Sequence, residues 1–133
     1  MTIKLWMVFE AVAPNKQGVE NSLQDHIEML SGDDGVQIKE KTFDEISEME
    51  NPHPGLEKGF SQVCEIRTEI DDFSKVIQTV INYGPTYVQI EGPDEINMDL
   101  KDAQESLQQV VDTMHQYANS GAGGMLISRA SDE

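Results

Sequence analysis

The chain has 133 residues, with 25 Asp and Glu against 9 Lys and Arg and a formal charge of −16. Phosphate backbones and anionic membrane surfaces are held by clustered Lys and Arg, so this excess of acid argues against nucleic acid and membrane as partners. Cys64 is the only cysteine, which excludes an intrachain disulfide and any zinc or iron–sulfur site assembled from the cysteines of one chain.

Residues 3–11 alternate with period two: Ile3, Leu5, Met7, Phe9 and Ala11 on one face, Lys4, Trp6, Val8 and Glu10 on the other. That pattern predicts a strand. The same stretch carries one Lys, is broken by Glu10 and has no small-residue cleavage site, so it does not read as a signal peptide. A helix follows over 16–31, where Val19, Leu23, Ile27 and Leu30 draw one apolar stripe. Ser31 to Gly35 supplies cap and turn chemistry. Val36 to Lys41 predicts a second strand. It turns Val36 and Ile38 inward and Gln37, Lys39 and Lys41 outward, as a charge-protected edge would. Residues 42–58 read as a loop, with one short helical turn near 43–48.

A third strand is predicted over 60–70. Phe60, Cys64, Ile66 and Ile70 share one face, and Ser61, Val63, Glu65, Arg67 and Glu69 share the other. Asp71 or Asp72 then caps a helix whose stripe is Phe73, Val76, Ile77, Val80 and Ile81. Tyr83-Gly84-Pro85 stops it. Thr86 to Glu91 predicts a fourth strand, with Val88 and Ile90 on one face and Tyr87 and Gln89 on the other, and Gly92-Pro93-Asp94 turns the chain. The longest helix spans 99–119. Asp99 is its N-cap, and its stripe is Leu100, Ala103, Leu107, Val110, Met114 and Tyr117. Residues 1–120 are expected to form one domain, followed by a Gly-rich tail over 121–133 that offers a short added strand at 125–128.

The order β-α-β-β-α-β plus a third helix is α+β and resembles the ferredoxin-like, split βαβ arrangement. The resemblance rests on element order and implies an antiparallel sheet of order 4-1-3-2, strands numbered along the chain, with both crossover helices on one face. The opposite sheet face then gathers Trp6, Val8, Val63 and Tyr87, which predicts an apolar patch in need of a cover. Two covers are open: the third helix, through Leu107, Val110, Val111 and Met114, or the sheet of a second subunit.

The chemistry-bearing residues are few. His26, His53 and His115 are the only histidines, and none pairs with another at ligand spacing. His115 lies at the border of the last helix's stripe, where a packed or solvated ring is the plainer reading. Cys64 falls on the core face, the place of an inert thiol. The acidic runs lack the ligand ladder of a calcium loop, and Gly121 to Gly124 follows a helix instead of opening one, unlike a phosphate loop. No metal and no cofactor are expected, and no catalytic residue is assigned. The segment from Asn82 to Tyr87 places Tyr83 and Tyr87 near a pocket mouth shared with His53, although Gly84-Pro85 as a plain helix stop accounts for it as well.

Two function classes follow. The first is a cytoplasmic interaction or regulatory module that self-associates through Trp6, Val8, Val63, Tyr87, Val110 and Met114, either alone or within a larger complex. The second is a small dimeric enzyme with a pocket near His53, Tyr87 and His115. A protein or small-molecule partner fits either. The acidity resembles that of proteins from salt-adapted archaea, although Lys outnumbers Arg seven to two here, against their usual preference.

Overall fold

In the computed structural model, which describes residues 2–53 and 56–120 and gives 51–53, 56 and 57 by their backbone alone, the centre of the molecule is β1 (Ile3–Ala13). Its alternation decides what is buried: Ile3, Leu5, Met7 and Phe9 are inaccessible to solvent, while Lys4 and Glu10 are exposed. Asn15 begins α1 (Lys16–Ser31) by accepting the Gly18 N–H at 2.6 Å. The α1 stripe of Val19, Leu23, Ile27 and Leu30 is buried against β1 and its neighbours.

β2 (Val36–Phe43), β3 (Ser47–His53) and β4 (Leu56–Ile70) follow. Next come α2 (Phe73–Tyr83), β5 (Tyr87–Gly92) and α3 (Leu100–Ser120). The fold is α+β: an antiparallel sheet of five strands, and three helices including the C-terminal one. The strands run β2-β4-β1-β5, with β3 paired to β4 off that path.

The expected four-stranded sheet is therefore corrected. Among its described residues the stretch over 42–58 is mostly strand and not loop, and no helical turn forms at 43–48: β2 continues to Phe43, residues 44–46 connect, and β3 and the start of β4 pair from Ser47↔Ser61 to His53↔Leu56. The cause is tertiary. β4 has 15 residues, longer than β2 can cover, and β3 takes the remaining length. Because β3 lies at an edge, Pro52 is tolerated within it. A bulge between Ile38 and Glu40 corrects the second strand too. It shifts parity, so Lys41 pairs with Ile66 instead of continuing the outward row, and Phe43 pairs with Cys64 and packs on the core. The proposed strand at 125–128 and the tail at 121–133 lie outside the described residues.

Thr68 sits in this core, 2% exposed on β4, and its hydroxyl has no hydrogen-bond partner. Valine keeps the branched shape and removes the unpaired polar atom. Thr68→Val is therefore expected to stabilise the fold by about 1 kcal/mol, read as a raised urea midpoint at constant slope. A loss of stability would mean instead that a buried water serves the hydroxyl.

Candidate functional site

α3 packs on α2 with the wrong side of its amphipathic surface. Its Asp102 carboxylate accepts the Ser74 N–H at 2.7 Å and the Phe73 N–H at 3.3 Å. Gln109 donates to the Ser74 carbonyl at 2.8 Å, and Ser106 is the residue of α3 that is buried. The apolar stripe looks away: Leu107 is 66% exposed, Met114 52% and Tyr117 59%. Of the two covers left open for the outer sheet face, α3 folding across it through this stripe is not what these contacts form, since α3 packs on α2. The reason is the start of α2. Asp72 is the N-cap residue, one of the two expected, but its side chain makes no cap hydrogen bond, and the Asp71 carboxylate accepts from Thr2. The orphan N–H groups are served by Asp102, and this fixes which side of α3 faces inward.

Beside this contact lies an open apolar groove of about 520 Å³. Val88 and Ile90 of β5 and Leu5 of β1 line it from the sheet; Phe73, Ile77, Val80 and Ile81 line it from α2, and Val110 from α3. Of the predicted α2 stripe only Val76 is buried, and Thr79 joins it by donating its hydroxyl to the Lys75 carbonyl at 2.7 Å. The others border the groove because β5 is the last strand of the sheet and nothing lies beyond it among the described residues.

The outer sheet face does bring its four named residues together, in a partly wetted form. Trp6 meets Tyr87 edge-on, with ring centroids 5.3 Å apart. The Trp6 indole donates to Glu65 at 3.1 Å, and Val8 pairs in register with Glu65 on one side and Tyr87 on the other. Val63 pairs with Glu10. Arg67 bridges to Glu91 at 3.1 Å. Trp6, Val8 and Val63 are half-buried among these charges, so the face is less open than the groove and the α3 stripe.

The acid–base candidates fall apart spatially. His53 ends β3 and pairs with Leu56, His115 is exposed on α3, and Tyr83 ends α2. Tyr83 instead meets His26, which sequence alone does not bring to it. Their rings are 5.5 Å apart, and the His26 Nε2–H donates to the Tyr83 carbonyl at 2.7 Å. Gly84, at φ 59°, makes the left-handed turn that ends α2 here. Phe9 packs on the other side of His26 at 5.6 Å. Burial, and then the Asp33 carboxylate, hold the Tyr83 hydroxyl above its ordinary range, which suits a packed phenol and not a base. Cys64 is buried, and burial pushes its thiol up to about 11, far from a reactive thiolate. Among the described residues no three His, Cys, Asp or Glu gather to hold a metal, and no helix is long and apolar enough to cross a membrane.

One protein-family model, that of the MJ0538 family, matches residues 4–128. No curated protein matches the chain.

Proposed function

The chain belongs to the MJ0538 family, a name that states no activity, and we propose that it is an interaction module that associates with itself in a salt-rich cytoplasm of archaeal type. One observation carries the reading: α3 turns Asp102, Ser106 and Gln109 to its own domain and Leu107, Val111, Met114 and Tyr117 to solvent, next to an unfilled apolar groove. A helix so placed costs hydrophobic free energy until a partner covers it. The frame is ferredoxin-like with an inserted β3. In support, the strands other than β3 and the crossovers through α1 and α2 have that fold's order. The formal charge of −16 supports the saline habitat, and the buried unpaired thiol supports a reducing one.

The competing reading, a small dimeric enzyme with a pocket near His53, Tyr87 and His115, has less to support it. Those residues stand on β3, β5 and α3; the Tyr87 hydroxyl donates to Gln89 at 3.1 Å, and His115 is exposed on α3.

Light scattering across protein concentration, in dilute buffer and in molar salt, tests the proposal. The wild type is expected to dimerise, and more tightly in salt, where repulsion between two acidic copies is screened. Val111→Glu with Met114→Glu is expected to weaken association by at least about tenfold in both buffers. A wild type that stays monomeric up to submillimolar concentration in both buffers would sink the reading.

A further inference from the structure

Carboxylates are spread along the chain, 25 in 133 residues, but two stretches are spared. The longest runs without Asp or Glu are 73–90 and 113–131, of 18 and 19 residues, and no other exceeds 9. The first is α2 with most of β5. It supplies Phe73, Ile77, Val80, Ile81, Val88 and Ile90, most of the lining of the apolar groove. The second is the end of α3 and the segment after it, where Met125, Leu126 and Ile127 stand in a row. A carboxylate on either would have to be desolvated for the two to meet, and neither carries one.

We propose that Met125-Leu126-Ile127 turns back into the groove of its own chain and covers Val88 and Ile90. The inference does not need the self-association proposed above. It leaves Leu107, Val111, Met114 and Tyr117, the exposed stripe of α3, to a second copy.

The length of chain fits. Val110 walls the groove, and Ser120 ends α3 ten residues on, about 15 Å further along the helix axis. Residues 121–124 span up to about 14 Å when extended. Gly121, Gly123 and Gly124 among them permit the reversal that brings Met125 back to the groove. The family match takes in this segment, running to residue 128.

Tether and charge both favour the chain's own segment over a separate partner. So short a connection holds the triplet beside the groove at an effective concentration of about millimolar or more. The segment carries Arg129 and no carboxylate before Asp132, so docking it brings a positive charge to a chain of net −16. A second copy would bring another −16 with it.

A nitroxide on Ser128→Cys reads the contact. The native Cys64 is buried and stays unlabelled. In dilute buffer, where acidic copies repel, the methyl signals of Val88, Ile90 and Ile77 are expected to broaden beyond detection. Leu126→Asp with Ile127→Asp is expected to restore them, and to raise amide exchange along β5 about tenfold or more, because carboxylates do not enter an apolar groove. These substitutions lie after α3 and touch none of the buried core residues.

A mixture shows whose groove is filled. Isotope-labelled chain without the nitroxide, mixed with unlabelled chain that bears it, is expected to keep its Val88 and Ile90 signals. Broadening in the mixture would place the segment in a second copy and overturn the intrachain seat. Groove signals untouched when label and nitroxide share one chain would overturn the seat outright, and would leave self-association through the α3 stripe standing.

Discussion

Phe9→Ala is expected to lower the unfolding free energy by about 3–5 kcal/mol, the range for removing a large buried ring. Phe9 is 2% exposed in the middle of β1, and its ring stands edge-on to His26 at 5.6 Å. The loss has two parts. One is the transfer and cavity cost of the ring. The other is slack in His26, which Phe9 holds from one side and the Tyr83 ring and carbonyl hold from the other. Phe9→Leu separates them. It keeps most of the apolar volume and loses the edge-on contact, so it is expected to cost about 1–1.5 kcal/mol. Urea unfolding with unchanged slope measures both. Domains of this kind hold about 5–15 kcal/mol in total, so the alanine variant is expected to be partly unfolded in dilute buffer, where acidic self-repulsion is unscreened, and rescued by molar salt. A loss below about 1 kcal/mol for alanine would show that the site collapses around the cavity, and would remove Phe9 from its place at the centre of the core.

Periodicity was enough to find β1, α1, α2, β5 and α3, since in each the apolar residues recur at the period of the element. It was not enough for β3. Ser47-Glu48-Met49-Glu50-Asn51-Pro52-His53 has no alternating apolar face and contains a proline. It is a strand because the overlong β4 leaves an edge to be paired, and that depends on a partner elsewhere in the chain. The bulge in β2 is of the same kind: nothing in Val36-Gln37-Ile38-Lys39-Glu40-Lys41 marks where parity changes. The stripe of α3, with Val110 and Met114, is plain in the sequence, but its direction is not. An apolar stripe argues for burial, whereas here a polar tie decides the docking side. The groove was hidden for a related reason. Val88 and Ile90 read as core residues, because alternation tells which face a side chain takes and not whether a helix lies above it. The signal that could have found them is the count of layers. A fourth strand at a sheet edge, two crossover helices and a third helix drawn elsewhere leave one apolar face without a cover.

Asp102→Ala is expected to detach α3. The carboxylate serves two N–H groups at the start of α2, at 2.7 and 3.3 Å, where the N-cap residue Asp72 makes no side-chain cap bond. Hydrogen bonds to a charged acceptor contribute about 1.5–3 kcal/mol, and losing a helix cap alone costs about 1 kcal/mol, so about 2–3 kcal/mol is a fair expectation for the pair. The consequence is local as well as global. The other polar tie between these helices is Gln109 on the Ser74 carbonyl, and the apolar residues of α3 look mainly to solvent, so little else resists undocking. Amide exchange separates the two effects: amides along α3 are expected to exchange about thirtyfold faster or more, while those of β1 change only by the global loss. Asp102→Asn keeps one acceptor oxygen without the charge and is expected to fall between. If α3 keeps its protection in Asp102→Ala, the helix is held by its apolar residues after all, and the stripe that looks exposed is occupied within the same chain. The variant therefore measures more than a cap: it asks whether the carboxylate is what turns the apolar side of α3 outward, toward the groove that Val110 walls.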